Sequence, residues 1–284
     1  MKELTTTVFA DDFVFLEGPR WRGDKLWVSD MYANTVYTLT MDGKREKIIE
    51  VPERPSGLGW LPDGTFIIVS MHDRKIMKMV DGKLEVHADI SHLANSDIND
   101  MVVDKKGNAY IGNIGFNLFK GEKFKPTNFV LVKANGDASE VATGLAVPNG
   151  PVVTPDGKTL IVAESWGKKL TAFDIQDDGS LTGQRVWADL DGSASPDGIC
   201  LDAEGAVWVA NFGGDNFVRV LEGGEVTHSI KVDDRFPVAC TLGGPDGKTF
   251  FGLTYQGSIK DVGSGKAASR IETVTVDVPA SGSP

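Results

Sequence analysis

Cysteine is nearly missing from this chain: Cys200 and Cys240 are the only two in 284 residues. Each falls inside an apolar segment of neighbouring repeats, the pattern of buried free thiols rather than a disulfide or a metal pair. There is no CxxC, no HExxH and no phosphate-cradling glycine loop, which removes the metal-knuckle, zincin and nucleotide-binding chemistries those motifs serve. A Gly-x-Ser-x-Gly elbow is also missing, and Ser56 has no base visible in sequence, so no serine nucleophile is implied. No apolar run approaches a membrane span. Met1-Lys2-Glu3-Leu4-Thr5 has no signal-peptide core, giving the expectation of a cytoplasmic protein without a membrane partner. Cations are outnumbered, 29 Lys and Arg against 40 Asp and Glu, and the net charge of -11 argues against nucleic acid.

Glycine, by contrast, is plentiful at 33 residues and it punctuates a repeat. Segments opening at Glu17-Gly18-Pro19, Ser56-Gly57-Leu58, Asn99-Asp100-Met101, Asn149-Gly150-Pro151, Asp197-Gly198-Ile199 and Pro237-Val238-Ala239 recur at roughly forty to fifty residues, the period of a propeller blade. Each turns at a glycine, such as Gly64, Gly157 or Gly247, and returns as a second apolar run, which is hairpin patterning. The runs are continuous rather than alternating, as in strands buried on both faces. The expected fold is all-β, a six-bladed β-propeller. One domain is expected over residues 1–279, with 280–284 as a disordered tail.

Thr5 to Asp11 precede the first full copy, and Val8-Phe9-Ala10-Asp11 matches the closing segments Val86-His87-Ala88-Asp89 and Val186-Trp187-Ala188-Asp189. The N-terminal strand is therefore expected to complete the last blade beside Arg270–Val276, closing the ring and removing its open edges. Phe116 to Asn128, rich in Phe and Lys, is an insertion in the third copy; its length and composition fit a lid over the channel or a decorative loop alike.

Strand polarity places the openings Glu17, Ser56, Asn99, Asn149, Asp197 and Pro237 in a ring at one mouth of the channel. The second strands return to that face, suggesting a wider ring of Asp30, Ser70, Asn113, Glu164, Asn211 and Thr254. A polar residue at a channel mouth is commonly a turn former or a solvated cap, and Asn99 alone reads that way. Converging carboxylates are different, because their repulsion is costly unless a cation offsets it. The oxygen-rich set suits one hard divalent ion, Ca²⁺, Mg²⁺ or Mn²⁺, with Zn²⁺ also possible. His72, His87, His92 and His228 read as surface or structural residues, though His72 follows a channel-facing strand.

The starts Glu17-Gly18-Pro19-Arg20-Trp21, Asn99-Asp100, Pro148-Asn149-Gly150 and Ser195-Pro196-Asp197-Gly198 resemble those of the SMP-30/gluconolactonase/LRE family across nearly the whole chain. That resemblance implies a six-bladed lactonase that hydrolyses cyclic esters with one divalent metal. Carried over, Glu17, Asn149 and Asp197 are the implied metal ligands, and Asn99 the implied contact to substrate or water. Asp197 is the candidate proton acceptor, with Glu164 as the alternative. Sugar-lactone members resemble Arg-x-Asn-Asp before the third blade, whereas here Asp97-Ile98-Asn99-Asp100 puts an acid in place of the cation. Around the mouth, Met31, Met71, Ile114, Phe116, Trp166, Phe212 and Tyr255 are apolar, which favours a hydrophobic lactone or aryl ester over an aldonolactone. Substrate contacts are expected from Asn99, Asp97, Phe116, Trp166, Phe212 and Met71, and the partner is a small molecule bound by a monomer or weak homo-oligomer. The rival readings are a non-catalytic binding propeller with a structural cation, a sugar-lactone hydrolase, and a metal-free condensing propeller of the strictosidine-synthase type.

Overall fold

Apolar runs separated by glycine turns give strands, and the strands assemble into six sheets around one axis, five of four strands and one of five. The computed structural model describes residues 1–117, 121–190, 195–258, 261–262 and 264–282. Blade 1 contains Leu16–Arg22, Lys25–Asp30, Thr35–Leu39 and Arg45–Glu50. Blade 2 contains Pro55–Trp60, Phe66–Ser70, Lys75–Val80 and Lys83–Asp89. Blade 3 contains Ile98–Val103, Ala109–Asn113, Thr127–Val132 and Ala138–Leu145, and blade 4 contains Pro148–Val153, Thr159–Glu164, Lys169–Ile175 and Leu181–Asp189. Blade 5 runs from Ser195–Leu201 through Val207–Phe212 and Asn216–Val220 to Val226–Lys231. Blade 6 takes Phe236–Gly243, Thr249–Tyr255 and Ser269–Thr275 from the end of the chain. Among the described residues no helix is long and apolar enough to cross a membrane.

The ring closes as the repeat pattern implies: Thr7–Phe13 pairs antiparallel with Ser269–Thr275 as the outer strand of blade 6. Closure begins one step earlier than expected, because Lys2–Thr5 pairs in parallel with Val226–Lys231 as a fifth strand of blade 5. The chain changes blade at Thr6, whose hydroxyl donates to the buried Glu272 carboxylate. Phe13 is buried between blades 6 and 1, and Phe9 packs edge-on against Phe251. At the other end, residues 280–282 are not the start of a free tail. Ala280 bridges Asp202, its amide donates to Gly247 O, and the Ser281 amide donates to Leu201 O; Ser283 and Pro284 lie outside the described residues.

The core is divided into slices between blades. Val152, Ile161, Leu170, Ile199, Leu201 and Val209 fill the slice between blades 4 and 5. Tyr110, Phe129, Leu131, Leu160, Val162 and Phe173 fill that between blades 3 and 4. Every second strand is thus buried on both faces, which is why the apolar runs do not alternate. Cys200 and Cys240 lie in the slice between blades 5 and 6 as buried free thiols, with sulfurs 3.7 Å apart.

All six inner strands share one irregularity: their pairing to the second strand shifts register just after the opening residues, between Glu17 and Arg20, Pro55 and Leu58, Ile98 and Met101, Pro148 and Pro151, Pro196 and Ile199, and Pro237 and Ala239. A bulge bends its strand and re-aims the side chains at that point. Here it aims the opening residues at the channel.

Because the N-terminal segment ties two blades, its loss is graded. Deleting residues 1–5 is expected to lower Tm by on the order of 5 °C, since only an edge pairing goes. Phe13→Ala is expected to cost about 3–5 kcal/mol by opening the slice between the first and last blades. Thermal melts of the two variants check this; equal, negligible shifts would show that the closing strand is not what holds the ring.

Candidate active site

The openings of five blades meet at one end of the channel. Glu17, Ser56, Asn99, Asn149 and Asp197 are all buried, the most exposed at 9%. Blade 6 contributes Pro237 and the buried Val238, and so no side-chain oxygen. The strands approach each other closely here. A Cβ on Gly150 would meet the Ile199 amide nitrogen at 2.6 Å, and one on Gly198 would meet the Ala239 Cβ at 2.3 Å. Glycine after the opening polar residue is therefore a packing requirement, and it brings the neighbouring oxygens together.

Two of those oxygens have no partner. Asn149 Oδ1 and Asp197 Oδ1 are buried without a hydrogen bond among the described residues, a costly arrangement for an amide and more so for a carboxylate. Asn149 is held by its other end: its Nδ2 donates to Ser165 Oγ at 3.3 Å, and that hydroxyl donates to Pro196 O at 2.7 Å. Glu17 accepts the Gly18 amide at 3.0 Å. Asn99 Oδ1 accepts from Ser56 Oγ at 3.3 Å, which leaves its Nδ2 as a donor.

Below the ring lies a pair that sequence reasoning passed over. Asp100 Oδ1 accepts from Arg20 Nη2 at 3.0 Å and from the Met101 amide at 2.8 Å, and Arg20 also donates to Met101 O and Pro19 O. Three carboxylates, Glu17, Asp100 and Asp197, thus interact around a single guanidinium. Burial pushes the Glu17 carboxyl well above the usual range, with repulsion from Asp197 and Asp100 adding to it and the Gly18 amide and Arg20 opposing. Asp197 is likewise pushed well up, by burial and then by Asp100, and the nearby Asn149 amide tempers the shift. The carboxylates of the site outnumber its guanidinium, and its orphaned oxygens are hard donors. Both features fit a divalent cation. Among the described residues no group of three or more His, Cys, Asp or Glu side chains is arranged to hold a metal ion, so a cation here would draw on the Asn149 amide oxygen alongside Glu17 and Asp197.

Above the ring opens a cavity of about 510 Å³, lined by Asn99, Asn149 and Asp197 at its base. Ile114, Phe116, Val147, Trp166 and Phe212 form its apolar wall, and Ser96, Asp97, Asn117, Ser165 and Ser195 its polar one. Phe116 packs edge-on against Trp166, 5.0 Å between ring centres, and Phe124 stacks on Trp166 at 5.5 Å. The insertion of blade 3 therefore contributes to the wall at Phe116 and caps Trp166 with Phe124; Leu118, Phe119 and Lys120 lie outside the described residues.

Other expected members of the site are elsewhere. Met71 is buried in the slice between blades 2 and 3, with Met31 and Tyr255 in the same cluster, so none of the three lines the cavity. The wider ring also turns away. Leu16 pairs with Asp30 and Glu17 with Ser29, so Asp30 lies on the face opposite Glu17 and accepts the Val14 and Phe15 amides. Asn113 bonds Asn128, Asn211 bonds Asn216 and Thr254 bonds Glu272. Glu164, the alternative proton acceptor, is buried, takes the Ala146 amide at 2.8 Å and the Thr171 hydroxyl, and sits 3.5 Å from Lys169. Its oxygens are committed to holding blade 4. His72 donates or accepts at Asp97 Oδ2, 2.8 Å away on the cavity rim; His87 and His228 are partly buried, with burial lowering the pKa of each.

The sequence pattern of the SMP-30/Gluconolactonase/LRE-like region matches residues 15–255, from the first inner strand to the end of the second strand of blade 6. The chain belongs to this family. A 6-deoxy-6-sulfogluconolactonase of Pseudomonas putida is 25% identical over 257 residues, 88% of this chain and 87% of the relative. The pentonolactonase XacC of Haloferax volcanii is 23% identical over 281 residues, covering 94% and 92% of the two chains. Among solved structures, a calcium-binding regucalcin of Agrobacterium tumefaciens superposes with a TM-score of 0.83 at 20% identity, over 100% of this chain and 98% of that one. At that identity the likeness is one of fold.

The electrostatics of this family member set a pH dependence. Glu17 and Asp197 bind protons more tightly in the folded chain than in the unfolded one. Their ionisation therefore costs nothing below the ordinary carboxylate range and costs progressively more as pH rises through it toward the raised folded values. Chelator-treated protein is expected to lose Tm as pH rises above the ordinary carboxylate range on this account. Glu17→Gln should flatten the loss, and added Ca²⁺ or Zn²⁺ should raise Tm most at the alkaline end. A pH slope and ion response identical in the parent and Glu17→Gln would count against this site.

Proposed function

We propose that this chain is a metal-dependent lactonase, opening cyclic esters with water, and that it prefers hydrophobic or aryl lactones to sugar lactones. The observation that carries the reading is the pair of orphaned oxygens, Asn149 Oδ1 and Asp197 Oδ1, buried beside Glu17 at the base of an aromatic-walled cavity. Glu17, Asn149 and Asp197 would hold one divalent ion, Ca²⁺, Mg²⁺, Mn²⁺ or Zn²⁺. When bound, such an ion supplies Lewis acidity to a carbonyl and makes water more acidic. The names of the Pseudomonas and Haloferax relatives support ester-ring chemistry.

The chain's own residues divide the remaining work. Asp197 accepts the proton of the attacking water; burial and the neighbouring Asp100 raise its basicity above that of an ordinary carboxylate. Asn99, its oxygen engaged by Ser56, presents its Nδ2 to the carbonyl oxygen and orients it. Phe116, Trp166 and Phe212 receive the carbon skeleton and exclude water. Asp97 stands where a sugar-binding cation would, so a polyhydroxylated ring loses its donor while an apolar ring loses nothing. The two relatives are named for sugar lactones, which favours the second reading, an aldonolactone substrate reached through Ser96, Asn117 and Asp97.

Hydrolysis of dihydrocoumarin, δ-valerolactone and gluconolactone by chelator-treated protein, before and after single metals are restored, decides between them. Metal-restored turnover led by dihydrocoumarin is expected; gluconolactone leading would establish the sugar reading, and inert protein with bound ion would leave a binding propeller. Asp197→Ala and Glu17→Ala are expected to lose at least about 100-fold in kcat/KM, the scale of losing a preorganised electrostatic group. Cys200→Ala, in the slice between blades, should retain nearly all activity.

A further inference from the structure

The hydrolysis proposed above needs two proton movements, and only one has been given a residue. Water loses a proton as it attacks, but the ring oxygen must also gain one as its bond to the carbonyl carbon breaks. An alkoxide is a poor leaving group, so this second transfer matters most for aliphatic lactones.

We propose that Ser195 protonates the departing ring oxygen, with Lys168 behind it as the positioning and proton-supplying residue. Ser195 opens the inner strand of blade 5 and lines the same cavity as Asn99, Asn149 and Asp197. Its hydroxyl oxygen accepts a hydrogen bond from Lys168 Nζ at 2.8 Å. An oxygen that accepts from a lysine Nζ turns its own hydrogen away from that donor, which leaves the Ser195 hydrogen available to an acceptor in the cavity it lines. The same geometry disfavours Ser195 as a nucleophile, because a side chain that donates to Oγ is not placed to take its proton.

Lys168 is held for this task at some conformational cost. It lies at the corner between the second and third strands of blade 4 with φ of 55°, in the left-handed region. Its backbone is fixed on both sides, the amide donating to Glu164 O at 2.9 Å and the carbonyl accepting from Leu190 at 3.0 Å. Asn34 and Arg74 occupy the same corner of blades 1 and 2, also with positive φ. Asn suits that conformation better than Lys or Arg does. Where Arg74 stands, its side chain crosses to Ala94 O, on the approach to blade 3. The corner thus projects its side chain toward the next blade, and in blade 4 that reach ends on Ser195.

The proposal rests on the lactonase reading, and its proton balance closes. Water oxygen bonds to the carbonyl carbon and gives a proton to Asp197. The ring C–O bond breaks, its oxygen takes the Ser195 Oγ proton, and Ser195 takes one from Lys168 Nζ. Asp197 then releases its proton to solvent and Lys168 recovers one, leaving the ionised hydroxy acid and one proton in solution.

The test varies the leaving group. Dihydrocoumarin expels a phenolate, with a conjugate acid of pKa about 10, and needs little acid assistance. δ-Valerolactone expels an alkoxide. Ser195→Ala in the metal-loaded full chain is expected to lose on the order of 100-fold in kcat/KM on δ-valerolactone and less than about threefold on dihydrocoumarin. Lys168→Met should show the same asymmetry, and Lys168→Arg should restore part of it. Melting temperatures near the parent's confirm folding. Equal losses on both lactones would mean a structural role and overturn the proposal. So would a burst of phenolic absorbance with a ring-opened covalent adduct on Ser195, which marks a nucleophile. A parent inert toward both lactones would instead overturn the lactonase reading itself, and this inference with it.

Discussion

The closeness of the inner strands at the axis is the constraint on which the rest depends. Six strands can crowd one channel only where backbones touch, and Gly150 and Gly198 sit where a methyl group would press into the next blade. Bulges at the same strand openings turn Glu17, Asn149 and Asp197 toward the axis. Packing and chemistry are therefore set by the same few residues: the glycine that lets two blades meet lies directly after the oxygen that their meeting brings into the site.

That arrangement stores unfavourable electrostatics. Glu17 and Asp197 are buried among like charges, and Arg20, which opposes the shift at Glu17, is already engaged by Asp100. A chain selected for stability alone would replace such a cluster with apolar side chains, which are often neutral or better in that setting. Its retention at the base of a roomy cavity is what separates this end of the channel from the tightly filled slices between blades.

Much of this was readable from residue order. The repeat gave the blade count, the match of Val8-Phe9-Ala10-Asp11 to the closing segments gave the ring closure, and the opening residues located Glu17, Asn99, Asn149 and Asp197 at one mouth. The split at Thr6 was not readable, because Glu3 to Phe9 carries no turn residue and the change of blade is made by a tertiary hydrogen bond to Glu272. The wider ring failed for a reason of parity. Successive strand residues point to opposite faces, and the pairings Leu16 with Asp30 and Glu17 with Ser29 turn Asp30 away from the axis. Met71 failed with it, since direction, not position along the strand, separates a packed side chain from a cavity wall. The pairing of Lys168 with Ser195 was invisible because 27 residues separate them: Ser195 stood out only as the start of Ser195-Pro196-Asp197-Gly198, and Lys168 belongs to no motif.

Joining the first strand to the last also shapes how the chain reaches its native state. Thr7–Phe13 has no partner until Ser269–Thr275 exists, so a chain emerging from the ribosome carries an exposed strand edge through nearly all of its synthesis. Contacts so distant in sequence are slow to form, and unpaired edges invite pairing with other chains. Five blades can assemble in order as they are made, but the ring becomes a single cooperative object only at the end. The same seam then makes it hard to unravel from either terminus, because each end is held by the other.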